Sequence, residues 1–133
     1  MKKLILFLVA IAMAATINGT TKIYRGNSTY AGDILYTWDG KHLYQGNTTY
    51  SGNILYTWNG KCVFKGNTTY SGDIILTYDG KKIYQGNTTY SGSILYTIGG
   101  KKLYKGNSTY VGDVAFTIDG VIHPILLAVI GMI

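Results

Sequence analysis

One cysteine, one proline and two histidines occur in 133 residues, and six acidic side chains face twelve basic ones. A lone cysteine, Cys62, excludes a disulfide within the chain, so the fold must hold by packing and backbone pairing. His42 and His123 lie in unrelated contexts, and the aspartates fall in turns or beside bend glycines, where local backbone bonding accounts for them. No metal-ligand cluster, nucleophile–base pair or phosphate loop can be assembled from so few groups. The expectation is therefore a non-enzymatic protein with no cofactor.

A long apolar run is also lacking. The stretch Leu4 to Ala12 falls short of the roughly 20 residues that a membrane-spanning helix needs. With Lys2 and Lys3 before it and Ala12-Met13-Ala14 after it, it has the order of a secretory signal peptide over residues 1–14. Export to a periplasmic, cell-surface or secreted location follows from that order. The formal charge of +6 is a mild bias towards anionic partners, with nothing that marks a nucleic-acid binder.

What the chain does have is repetition. Five copies of a twenty-residue unit run over 22–40, 41–60, 61–80, 81–100 and 101–120, the first one residue short, and an apolar tail follows at 124–133. Units this short must borrow their core from their neighbours, so residues 22–133 are read as one domain.

Two turn signals recur. Asp39-Gly40, Asn59-Gly60 and Asp79-Gly80, set between apolar and β-branched residues, predict type I′ hairpin turns joining strands such as Ile54–Trp58 and 61–65. Gly46-Asn47 and its equivalents predict a second tight turn, and Gly52, Gly72 and Gly92 a bend or bulge where a side chain would obstruct. Alternation places Ile34, Tyr36 and Trp38 on one strand face, with Leu35 and Thr37 on the other. Both faces are largely apolar, which predicts a strand covered twice, by an interior on one side and by the column Tyr30, Tyr50, Tyr70, Tyr90 and Tyr110 on the other. Cys62 shares its column with His42, Lys82 and Lys102 and is expected at the surface.

The tail has no polar side chain from Pro124 onward. Proline is favoured in the first turn of a helix, and a helix apolar all round is buried all round. The fold expected is all-β with one short central helix: a closed shallow barrel of five β-hairpins around that helix, which removes exposed strand edges. A linear β-solenoid is the alternative.

Units of the form Asp-Gly-Lys-x-Leu-Tyr-x-Gly-Asn-Thr-Thr-Tyr-Ser-Gly-x-Ile-Leu-Tyr-Thr, closed by an apolar tail containing proline, resemble the bacterial β-flower repeat proteins. That resemblance implies hairpin petals around a central apolar helix, with a shape similar to the tubby C-terminal-like domain. By fold alone it also implies lipid contact, without assigning a site residue.

The functional signals are weaker. Asn-x-Ser/Thr triplets at Asn18, Asn27, Asn47, Asn67, Asn87 and Asn107 resemble glycosylation acceptors, and turn chemistry accounts for five of them. Lys41, Lys61, Lys81 and Lys101 each follow a turn glycine, so a closed ring would carry a basic rim able to gather anionic headgroups through many weak contacts. The bland alternative is a solvated lysine beside Asp39, Asp79 or Asp119. Three functions stay open: an exported module binding anionic lipid or envelope surface through that rim, a glycan-binding repeat using its aromatic columns, and a structural surface protein. Exposed rings would favour glycan; buried rings with a basic rim would favour lipid.

Overall fold

The computed structural model describes residues 20–119 and 123–132. Ten strands follow one another: β1 Thr21–Tyr24, β2 Ile34–Trp38, β3 His42–Gln45, β4 Ile54–Trp58, β5 Cys62–Lys65, β6 Ile74–Tyr78, β7 Lys82–Gln85, β8 Ile94–Gly99, β9 Lys102–Lys105 and β10 Val114–Thr117. A single α-helix, α1, covers Pro124–Met132 among the described residues. The strands form one antiparallel sheet in chain order, a meander rather than a linear solenoid.

The turn between β2 and β3 is not type I′. Only its glycine takes positive φ (Gly40, 94°), and no other residue type does so among the described residues. Glycine alone at the first central position is the requirement of a type II′ turn. Asp39 closes the turn twice: its N–H donates to the His42 carbonyl at 3.2 Å, and its Oδ1 accepts the Lys41 and His42 N–H groups at 2.9 and 2.6 Å. Aspartate is thus present for its short acceptor side chain, not for a left-handed backbone.

A bulge recurs on the other side of each odd-numbered strand. Ile23 faces Tyr36, but Tyr24 faces Ile34, so Leu35 is the extra residue. Leu43/Tyr44, Val63/Phe64 and Ile83/Tyr84 carry the same shift. The bulge moves Ile34 off the face of Tyr36 and Trp38, correcting the simple alternation expected over the whole strand.

The core lies on the face that carries Ile23, Leu43, Val63, Ile83 and Leu103. These five join Leu76, Phe116 and Ile118 in one cluster with Ile125, Leu126, Leu127, Ala128, Val129 and Ile130 of α1. Ten strands about 4.8 Å apart would span roughly 43 Å if laid flat, far wider than a helix of about 10 Å diameter. Since every unit supplies a side chain to the same cluster as the helix, the sheet must curl around α1. Each large apolar side chain buried there contributes about 1.5–3 kcal/mol.

The closed barrel is not what the described ladders form. β1 pairs only with β2 and β10 only with β9, so five units give ten strands and two free edges among the described residues. The expected leader at 1–14, Asn18, Gly120 and Ile133 lie outside the described residues.

Candidate functional site

The tyrosine column is the largest departure from expectation. Tyr30, Tyr50, Tyr70, Tyr90 and Tyr110 are 69 to 73% exposed, not a second core layer. Each sits at the tip of the loop joining the two strands of a petal. In the β3–β4 loop the Tyr50 N–H donates to Thr48 Oγ1 at 3.0 Å, and the Tyr50 carbonyl accepts from the Asn53 N–H at 2.9 Å across a short 3-10 turn. The same bonds recur with Ser28, Thr68, Thr88 and Ser108 in the other tips.

Each ring lies on its own loop glycine. A Cβ on Gly52 would stand 2.5 Å from Tyr50 Cε2, and the value is the same for Gly32, Gly72, Gly92 and Gly112. The bend glycine is therefore needed for ring contact, not for positive φ, and the ring is fixed with one side against backbone and the rest open to solvent. From Gly46 to Gly52 the tip reads Gly-Asn-Thr-Thr-Tyr-Ser-Gly, with no charged side chain, and exposed Asn47, Thr49 and Ser51 beside the ring.

The loop itself covers the outer strand face. Thr37 is fully buried there, with Oγ1 donating to the Gly46 carbonyl at 2.8 Å; Thr57, Thr77 and Thr97 repeat that bond at 2.7 Å. Cys62 lies on this face and is buried at 6% exposure, against the expectation of a surface position. Lysines in its column extend further: Lys82 Nζ reaches the exposed Asn107 Oδ1, and Lys22 Nζ lies within reach of Thr37 Oγ1. Cysteine is too short to follow them, and its Sγ rests 3.9 Å from Thr77 Oγ1.

Lys41, Lys61, Lys81 and Lys101 are exposed, at the strand ends opposite the tips. Their carbonyls are held by the N–H groups of Trp58, Tyr78, Ile98 and Ile118 at 2.7 to 2.8 Å. The lysines are spaced one per unit, and none forms an ion pair among the described residues. Two of the neighbouring carboxylates, Asp39 and Asp79, are otherwise engaged. Burial pushes Asp39 up, but hydrogen bonds from the His42 and Lys41 N–H groups and the Tyr44 hydroxyl outweigh it and hold the carboxyl below its ordinary value. Asp79 is likewise lowered, burial being outweighed by Tyr84 and two backbone N–H groups. At this end His123 caps α1: its Nδ1 accepts from the Ile125 N–H at 3.1 Å, and its ring stands 5.3 Å from Trp58 and 5.1 Å from Tyr78.

Arg25, Lys65 and Lys105 occur in the units that carry Asp33, Asp73 and Asp113, and in the first of these units the Arg25 N–H donates to the Asp33 carbonyl at 2.7 Å. No ion pair joins these side chains among the described residues. Asp33 and Asp113 instead accept from Ser28 and Ser108 of their own loops, at 2.7 and 2.6 Å.

Two functional features were missed in the sequence: the exposure of the tyrosines, which the Tyr-x-Gly spacing in every unit could have signalled, and the engagement of the turn aspartates by tyrosine hydroxyls five residues on. No curated protein and no solved structure matches the chain. A family model described as 6-fold beta flower protein matches residues 13–125, most of the sequence and all ten strands. With five petals, an antiparallel meander and an apolar C-terminal helix in its core, the chain belongs to the six-fold beta flower family.

Proposed function

We propose that this protein is a non-enzymatic, multivalent binding module that holds a repeating carbohydrate on its five tyrosine tips. The observation that carries this reading is the set of five rings, each about 70% exposed and each laid on its own glycine in the same frame. Leaving a large aromatic side chain in water forgoes the burial that usually stabilises it. Sugar rings present apolar C–H faces that stack on such a ring, and their hydroxyls meet the exposed Asn, Thr and Ser side chains of a charge-free tip. Each contact would be weak, and several on one polymer multiply through effective concentration. Export, as the Lys2-Lys3 leader pattern suggests, would bring the module to surface glycans.

A glycan array with the mature domain tests this. Selective binding is expected, with little loss for a single Tyr→Ala change and about a hundredfold loss when Tyr30, Tyr50, Tyr70, Tyr90 and Tyr110 are all changed. A five-alanine variant that binds as the native domain does, or a native domain that binds no glycan, would sink it.

A second reading has its own support in the four exposed turn lysines at the opposite strand ends: contact with an anionic lipid surface, each charge contributing about 1 kcal/mol near the membrane. It predicts sedimentation with anionic liposomes at low salt, lost when Lys41, Lys61, Lys81 and Lys101 all become Gln.

Ring closure belongs to the same proposal. In it β1 and β10 would meet, which would abolish both sheet edges.

A further inference from the structure

At the C-terminal end of α1 the fold has a mouth that neither the tyrosine tips nor the turn lysines use. Gln85, Leu95, Tyr96, Lys105 and Met132 line a hollow of about 440 Å³ there, within the roughly 300–1,000 Å³ range of small-molecule sites. Tyr96 pairs with Lys105 across β8 and β9, so the ring and the amine stem stand on the same sheet face. Gln85 and Lys105 belong to a column that reads Arg25, Gln45, Lys65, Gln85 and Lys105 in successive units, all exposed, with cations alternating with amides.

Part of that charge has a structural explanation. The last carbonyls of a helix lack intrahelical partners and carry partial negative charge, which nearby cations stabilise. The apolar wall is not explained that way. Met132 is 46% exposed and stands beside the partly exposed Leu95 and Tyr96, so an apolar surface is left open directly under a cation. Lys105 is in no ion pair among the described residues, and the carboxylate of its own unit, Asp113, is taken by Ser108.

We propose that this hollow binds a small amphipathic anion, a carboxylate carried on a single apolar chain. The chain lies against Leu95, Tyr96 and Met132; the carboxylate accepts from Lys105 Nζ, and the Gln85 amide supplies a second donor. The site is independent of the tyrosine tips, so failure of either leaves the other standing.

Calorimetric titration of the full chain with octanoate and with octylammonium separates the terms. Octanoate should bind with one-to-one stoichiometry and octylammonium should not. Lys105→Gln should weaken octanoate at least about fivefold, the scale of one partly exposed ion pair. Lys105→Arg should retain binding, and Lys102→Gln, on the opposite face of β9, should change nothing. The melting temperature of each variant shows that it is folded. Octylammonium binding as tightly as octanoate, an equal loss in Lys102→Gln, or no octanoate binding would overturn the proposal.

Discussion

The Tyr44 hydroxyl donates to Asp39 Oδ2 at 2.7 Å, across a hairpin turn whose backbone the same carboxylate closes through Oδ1. Tyr84 and Asp79 repeat the bond at 2.6 Å. Where the unit has Phe64 in place of tyrosine, the turn residue is Asn59, which keeps the two backbone bonds and needs no partner for a second carboxylate oxygen. Where the turn residue is Gly99, the ring of Tyr104 occupies the space its side chain would fill, 2.9 Å from an added Cβ. Turn residue and ring change together.

Tyr44→Phe alone should therefore destabilise by about 1 kcal/mol, the net value of one hydrogen bond. Adding Asp39→Asn to Tyr44→Phe should recover most of that, because the double variant rebuilds the pairing the chain already uses at Asn59 and Phe64. A double-mutant cycle by urea unfolding reads the coupling. Additive single effects would show the two positions to be independent.

Stability should also fall at both extremes of pH through these pairs. The Asp39 and Asp79 carboxyls are lowered in the fold, so their contribution is complete above the ordinary carboxylate pKa of about 4 and is lost as pH drops through the folded values. Tyr44 is pushed up to about 12, by burial and then by its bond to Asp39. Its contribution is whole below about 10 and disappears as pH climbs towards 12. Melting temperatures of the native chain and Tyr44→Phe should converge at high pH; a constant gap there would contradict the assignment.

Glycines of two kinds predict opposite outcomes for the same substitution. Gly46 has φ of 82° and nothing within 4 Å of an added Cβ, so Gly46→Ala should cost about 1 kcal/mol in backbone strain alone. Gly72 has ordinary φ, and the only obstacle is the exposed Tyr70 ring. Gly72→Ala should leave the melting temperature nearly unchanged while freeing that ring, which narrowed Tyr70 resonances in an NMR spectrum would reveal. A large loss of stability in Gly72→Ala would mean the ring contact holds the loop.

Much of the architecture was legible because the unit repeats its punctuation: strand limits follow from Asp-Gly and Gly-Asn signals, and Pro124 with only apolar or small followers marks the helix. The faces were harder. A bulge at Leu35 resets alternation midway through the unit, and no residue type announces it. Tyr50 reads as core by hydrophobicity, yet Gly52 two residues on lets the ring lie back on its own loop, outside. Cys62 was placed by the lysines of its column, although long side chains escape a cover that a short one cannot. Closure was unreadable for a different reason, since a period fixes neighbours and says nothing of how first and last strands meet.

Leu127 is fully buried in the cluster that α1 shares with all five units. Leu127→Asp should leave the chain unfolded or aggregated, since an unpaired charge there costs several kcal/mol against a total stability of about 5–15 kcal/mol. Leu127→Ala, which only opens a cavity, should cost about 2–5 kcal/mol and keep a cooperative transition. A soluble aspartate variant with native melting behaviour would show that α1 is dispensable.

The N-terminal end of that helix should make folding sensitive to mild acid. His123 accepts the Ile125 N–H through Nδ1, which requires the neutral ring with its proton on Nε2. Although His123 is exposed, partial desolvation beside the rings of Trp58 and Tyr78 lowers its pKa from the ordinary value, so the neutral form is the one the fold prefers. The sign follows: the capping contribution is complete above the unfolded pKa and is lost as pH falls through the lower folded one. Protonation removes the acceptor and sets a positive charge at a helix N-terminus, where it is unfavourable. His123→Asn supplies a capping oxygen that does not titrate. Between about pH 7 and pH 5 the native chain should lose about 1 kcal/mol that the asparagine variant keeps. Equal losses in both, measured by chemical unfolding at the two pH values, would locate the acid sensitivity elsewhere, in the Asp39 and Asp79 turns.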